Sequence, residues 1–425
     1  MKHKAIATCL LGIALSLGSY HRKPLGDASG VTSRAQREGQ DQTCVFWSPP
    51  LSAPTFEGTE NAWFVTSRAN LVYTHDAGKT WSVTSGMPLG GFSMISFADS
   101  QHGWNLSAIE TNVDSYTSSA ADSAVAVVSR TEDGGATWSP TAVLTKAETE
   151  MAGWPVHMIF ADDAEGWIVG GQGGVWRSHD GGLTWQVQAS KVEGRVSGFQ
   201  VISRYEAVVY DQMGNIYQTA DGGTTWRHSG SGRDGPNLPN RDSDVDQSFF
   251  FLDGRKALLG SSSGEIRRTY DGGMTWHGVR GAIAFAQVFE LSFCDEKNGW
   301  ALGSPDAGRI GATDFRDLIL VTSDGGLTWR PAGHPAVNGP EGTGLDDHIH
   351  LADQANGWLT TASHSEGGEY KCEVYRTDDG GNTWQMVLSA SRDSTGGALL
   401  VPASGAVIED RFISNGRGTE IGRLD

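Results

Sequence analysis

Short apolar runs alternate with clusters of Gly, Asp, Ser and Thr along nearly the whole chain after residue 50, and a helical period of 3.6 persists nowhere over a useful length. Short runs bounded by turn residues predict β-strands. Two of the turn clusters recur. One is an eight-residue box: THDAGKTW (74–81), TEDGGATW (131–138), SHDGGLTW (178–185), TADGGTTW (219–226), TYDGGMTW (269–276), TSDGGLTW (322–329) and TDDGGNTW (377–384). All seven fit S/T-x-D-x-G-x-T-W. The aspartates Asp76, Asp133, Asp180, Asp221, Asp271, Asp324 and Asp379 lie 57, 47, 41, 50, 53 and 55 residues apart, a spacing that suits one four-stranded sheet per repeat.

The second cluster is looser and precedes most boxes: FADSQHGWNLS (97–107), FADDAEGWIVG (160–170), FCDEKNGWALG (293–303) and LADQANGWLTT (351–361). Each repeat therefore predicts strand a, a Gly-Trp turn, strand b, a loop, strand c running into the box, and strand d beyond the box Trp. In the fourth repeat these fall at Phe199 to Ile202, Ala207 to Tyr210, Asn215 to Gln218 and Trp226 to His228. The expected fold is all-β, a single propeller of seven four-stranded blades over residues 44–425. Eight blades is the alternative, because 397–420 echoes 256–276, with Asn415, Gly416 and Thr419 where a box has Asp, Gly and Thr. That C-terminal segment is expected to be a decayed eighth blade or a set of strands closing the ring against the first repeat.

The box has a mechanical explanation. An Asp side chain accepts bonds from turn amides, Gly supplies positive φ without a Cβ clash, and Thr bonds locally. The box tryptophans, Trp81, Trp138, Trp185, Trp226, Trp276, Trp329 and Trp384, each offer a large apolar face suited to the space between sheets. Seven identical aspartates suit a structural role, since catalysis needs one asymmetric constellation. The box also lacks the ligand run and distal Glu of a calcium loop.

Composition supports this picture: 57 Gly and 15 Trp in 425 residues suit turns and flat side chains between sheets. A formal net charge of -18 sets the average field against nucleic acid. Met1-Lys2-His3-Lys4, the apolar stretch to about Leu17 and the small residues that follow read as a signal peptide over 1–19, with a polar disordered linker over 20–43. Export to the periplasm or the extracellular space is the expectation. It would leave Cys44, Cys294 and Cys372 where disulfides persist, and a Cys44–Cys372 bridge joining the two ends of the ring is the candidate, three separate thiols being the alternative.

The eight-residue segments resemble the BNR or Asp-box repeats of sialidases, sortilin-type receptors and certain β-glucanases over about residues 50–390. With the D-x-x-x-G-W turns, they most resemble the photosystem II stability/assembly factor family. That resemblance implies an exported, non-catalytic seven-bladed propeller that binds protein during assembly of a membrane complex. The Arg-Ile-Pro segment of sialidases is absent, the nearest tripeptide being Arg309-Ile310-Gly311 in the sixth repeat. The alternative function is a glycan-binding or glycoside-hydrolysing protein of the Asp-box type.

Antiparallel topology puts all boxes and Gly-Trp turns on one face and the long b–c and d–a connections on the other, where binding usually resides. Candidate residues on that second face are Arg233, Arg241, Arg309 and Arg316, able to pair with carboxylates of a partner, together with His348 and His350. His157, Gln200, Glu290, Ser292, His348 and His350 alternate with apolar residues on the innermost strands and are candidates to face an axial channel. His348 and His350 with Asp346 and Asp347 have the chemistry of a metal cluster, but residues two apart on a strand merely share a face, and no metal or cofactor is assigned. A nucleophile elbow, P-loop and dinucleotide fingerprint are all missing. A monomer with a protein partner is expected.

Overall fold

The structure, a computed structural model, describes residues 51–66, 70–84, 93–110, 124–188, 192–232, 248–261, 263–279, 285–305, 318–333, 335, 347–364, 370–392, 398–405 and 408–409. The expected signal peptide, the linker, Cys44, Arg233, Arg241, Arg309, Arg316 and Asp346 lie outside them. Among the described residues strands pair only with their sequence neighbours, always antiparallel, and they form seven sheets. Six of these have four strands, starting at residues 51, 93, 155, 196, 248 and 285. Blade four runs Val196–Val201, Ala207–Asp211, Asn215–Thr219 and Arg227–Ser231, matching the expected a to d order within a few residues.

The seventh sheet has six strands: His348–Leu351, Gly357–His364, Tyr370–Thr377, Gln385–Arg392, Ala398–Pro402 and Ile408–Glu409. The described C-terminal strands thus extend the outer edge of the last blade, Leu388 opposite Pro402 and Ala390 opposite Leu400, and among the described residues none pairs with a strand of the first repeat; Asn415, Gly416 and Thr419 lie outside those residues. Strand d of blade seven, eight residues long, offers an edge that the two-residue or three-residue outer strands of blades one, three, five and six do not. The ring closes by packing instead. Phe56, Phe64, Val72 and Trp81 of blade one share one buried cluster with Trp358, Val374, Val387 and Leu400 of blade seven.

One short helix, Lys146–Ala152, departs from the expected absence of helices. Thr145 caps it and Glu148 completes the capping box. The helix ends at Gly153, where Gly174 donates its amide to the Ala152 carbonyl at 3.0 Å. Among the described residues no helix is long and apolar enough to cross a membrane.

The core lies between blades. Trp104 of the Gly-Trp turn stacks on Phe160 of the next blade at 3.6 Å and 4°, and Trp63 stacks on Phe97 at 4.0 Å and 7°. The box tryptophan of that next blade stands edge-on to the same Phe, at 86° for Trp185 and 81° for Trp138. The glycine before the turn Trp has a steric cause: a Cβ on Gly103, Gly166 or Gly299 would run into the ring of Phe97, Phe160 or Phe293, and one on Gly357 into the ring of Trp300 in the preceding blade. Trp63, Trp104, Trp167 and Trp358 are fully buried, and at about 25 cal/mol per Å² of apolar surface each contributes a few kcal/mol of stability.

Candidate functional site

All seven boxes share one hydrogen-bond geometry. The first Thr or Ser hydroxyl donates to Asp Oδ1 at 2.7–2.9 Å. It also accepts the amide four residues on, at 2.8–3.0 Å. The last Thr donates its amide to the same Oδ1 at 2.8–2.9 Å. Its hydroxyl donates to Oδ2 at 2.5–2.7 Å. Both carboxylate oxygens are therefore occupied. The effect on ionisation is clearest at Asp271: partial burial alone would raise its pKa, but the bonds from Thr275, Thr269 and Met274 outweigh it and hold the group at about 2.

The box also ties its blade together. The amide after the Asp donates to a carbonyl of the same blade's a–b turn at 2.7–2.9 Å, from Ala77 to Glu60 in blade one through Gly380 to Ala355 in blade seven. The turn is itself held by its Asp: Asp99, Asp162, Asp253, Asp295 and Asp353 each accept two amides. In blade four Ser203 does the same with its hydroxyl.

A contact between blades goes beyond the sequence expectations. The carbonyl of the residue after the box Asp accepts a bond from the preceding blade: Gly134 from Trp63, Gly181 from Trp104, Gly222 from Arg177, Gly272 from Gln218 and Gly325 from Arg268. Arg130, Arg177, Gln218, Arg268 and Arg376 all directly precede the box Thr or Ser, a recurrence visible in the sequence. Arg177 is 1% exposed, lies 3.7 Å over the Trp167 ring and pairs with Glu165 at 2.6 Å. Glu165 also meets His179 at 2.8 Å and Arg204 at 3.6 Å. The guanidinium's pKa is lowered by desolvation, with Glu165 opposing.

The polar residues of the innermost strands mostly serve the seam between blades. Gln200 exchanges two 2.8 Å bonds with the backbone of Phe251 in the next blade. Ser292 and Glu290 accept the amides of Leu351 and Ile349 at 2.9 and 3.0 Å, and Ser96 accepts that of Phe160 at 3.0 Å. A strand edge left open beside the axis is satisfied in this way.

His348, half-buried, lies 3.4 Å from Glu290, whereas His350 is buried and stacks on Phe56 at 5.3 Å. Burial alone lowers the pKa of both His157 and His350 to about 4, so both are neutral at pH 7. Neither buried ring faces an open channel. Asp347 accepts the Ala362 amide at 2.7 Å, and among the described residues no group of three His, Cys, Asp or Glu side chains is placed to hold a metal ion. The four candidate arginines of the second face, and Cys44 of the candidate disulfide, are outside the described residues; Cys372 is buried on strand c of blade seven.

The family model described as photosynthesis system II assembly factor YCF48 matches residues 122–235 and 156–286, from the second half of blade two to the first residues of blade six. Similar solved structures include YCF48 bound to D1 peptide, 16% identical over 76% of this chain and 91% of that chain with a TM-score of 0.46. YCF48 from Cyanidioschyzon merolae is 15% identical over 75% and 89%, with a TM-score of 0.45. The GH74 xyloglucanase from Xanthomonas campestris is 12% identical over 82% and 77%, with a TM-score of 0.38. No curated protein matches the chain. Seven boxes of one geometry, one per blade, and the match across residues 122–286 identify an Asp-box β-propeller similar to the photosystem II assembly factor family.

Proposed function

We propose that this protein is an exported, non-catalytic scaffold that binds a protein, in the manner of an assembly factor for a membrane complex. The observation that supports this most is that the carboxylates recurring in every blade are spent on holding turns, both oxygens of each accepting bonds within its own box. The assembly-factor match over blades two to five agrees with it. The strand ends at 231 and 248, and at 331 and 348, lie on the face opposite the boxes, and long connections on a rigid scaffold are where binding usually resides.

The test is capture of partners from the protein's own host by cross-linking, with the native chain and with a variant whose segments 233–247 and 336–346 are replaced by Gly-Ser linkers of equal length. One membrane-associated protein should cross-link to the native chain and be lost from the variant. Hydrolysis of a β-glucan or sialoside by the purified chain, abolished by a single carboxylate substitution, would replace this reading with the glycosidase one.

A further inference from the structure

The residue before each box is Tyr73, Arg130, Arg177, Gln218, Arg268, Val321 and Arg376 in blade order. Where it is Arg177, the guanidinium fills a slot between blades three and four. Nη1 donates to the Gly166 carbonyl at 2.7 Å, Nε to that of Gly222 at 3.0 Å, and Nη2 to Glu165 at 2.6 Å and to the Arg204 carbonyl at 3.3 Å. Blade six has Val321 there, too short to reach any of these acceptors. Yet the walls are repeated: Asn298, Gly299, Trp300, Gln354 and Gly380 stand at the positions of Glu165, Gly166, Trp167, Arg204 and Gly222. Together with Val321 they line a notch of about 120 Å³ between blades six and seven, several times the space that one water molecule requires. An Asn is an adequate partner, for in blade seven Arg376 donates to Asn356 at 3.2 Å.

We propose that this notch is a binding site for the guanidinium of an arginine side chain carried by a partner polypeptide. The fold has already built the same slot around its own arginines, and at blade six it keeps the carbonyls and the Trp wall without the cation. Arginine fits better than lysine because a planar fork can meet two carbonyls and an amide oxygen at once. The entrance is favourable: Asp379 is exposed at the rim and stays ionised, its pKa lowered by the Thr383 amide. Arg330, also on the rim, is directed toward Asn382 of the next box at 3.3 Å. The arginine's source rests on the protein-binding reading, but the slot does not.

The experiment uses the full chain labelled with ¹⁵N-tryptophan and follows the Trp300 indole resonance during titration with acetyl-Gly-Arg-Gly-amide. A saturable shift with a half-point on the order of millimolar is expected for one side chain in one slot. The citrulline and lysine peptides should bind at least about tenfold more weakly. Val321→Arg fills the notch from within and should abolish the shift; if that variant does not fold, Val321→Gln, the blade-four residue, should weaken it severalfold. Arg330→Gln should leave the indole resonance unmoved without peptide and tighten peptide binding. The proposal is overturned by no saturable shift, by a shift that Val321→Arg or Val321→Gln leaves intact, or by Arg330→Gln alone reproducing the peptide's effect, which would mean that Arg330 occupies the notch. A response to free L-arginine without one to the blocked peptide would overturn the polypeptide source. Because no partner is needed, a negative titration removes the notch alone, and a failed partner capture leaves the outcome of the titration intact.

Discussion

Arg177→Met is the most informative perturbation of the seam between blades. The substitution keeps most of the apolar stem but removes the guanidinium from the Trp167 ring together with its bonds to the carbonyls of Gly166 and Gly222, and to that of exposed Arg204, which water can take over. Glu165 is not abandoned, since Arg204 remains at 3.6 Å and His179 at 2.8 Å. The full cost of about 3–5 kcal/mol for breaking a buried pair is therefore an upper limit. Leaving two carbonyls unsatisfied costs about 1–3 kcal/mol each, less whatever water recovers, and the lost stacking adds about 1 kcal/mol. A total of about 3 kcal/mol follows. Urea unfolding followed by tryptophan fluorescence reads it as a lower midpoint with an unchanged slope. A second arm combines Glu165→Gln with Arg177→Met, where the coupling between the two sites should exceed about 1 kcal/mol. A loss below about 1 kcal/mol for the single variant would refute the claim that this guanidinium clamps blade three to blade four.

Three further outcomes are expected. Ala77, at φ 65, is the one non-glycine residue with positive φ among those described, in a position where the other boxes have Gly, so Ala77→Gly should raise stability by about 0.5–1 kcal/mol, and an unchanged or lower urea midpoint would count against it. His157 and His350 fall from 6.5 to about 4 on folding, so the unfolded chain binds protons that the folded one refuses. Their contribution is complete above pH 6.5 and is lost as pH falls toward about 4, by up to about 3 kcal/mol each; His350→Phe should roughly halve that decline, and an identical pH slope would contradict it. Asp271, depressed to about 2, stabilises above its ordinary value of 3.8 and loses that contribution as pH falls through about 2. Asp271→Asn should cost about 1 kcal/mol at neutral pH and make acid unfolding shallower below pH 4, which fluorescence against pH would show.

The blade order, the hairpin at each box and the shared face of boxes and Gly-Trp turns were legible because each depends on local turn chemistry repeated seven times. The cause of the Gly-Trp glycine was not, since at Gly103, Gly166 and Gly299 it is the Phe ring from strand a of the same blade, a contact that only the folded register creates. The arginine seam left a trace in the residue before each box, but a single cation in a strand reads as exposed until its next-blade carbonyl is known. The helix at 146–152 was signalled by Thr145 and Glu148 at capping-box spacing, too short a pattern for periodicity to register. Alternation put His348 and His350 on one face without saying that Phe56 of blade one would cover His350. The echo in 397–420 could not choose between two open edges, and the strands described within it, Ala398–Pro402 and Ile408–Glu409, lie on the longer one, on blade seven.

Amide exchange at the boxes probes the stapled ring at its seven fastenings together. The threonines Thr80, Thr137, Thr184, Thr225, Thr275, Thr328 and Thr383 are exposed, yet each donates its amide to a box carboxylate. If the boxes staple the ring, all seven amides exchange as slowly as the central strands, through global opening alone. Exchange of these amides at the rate of an open surface turn, while the strands stay protected, would show that the boxes do not hold the propeller together.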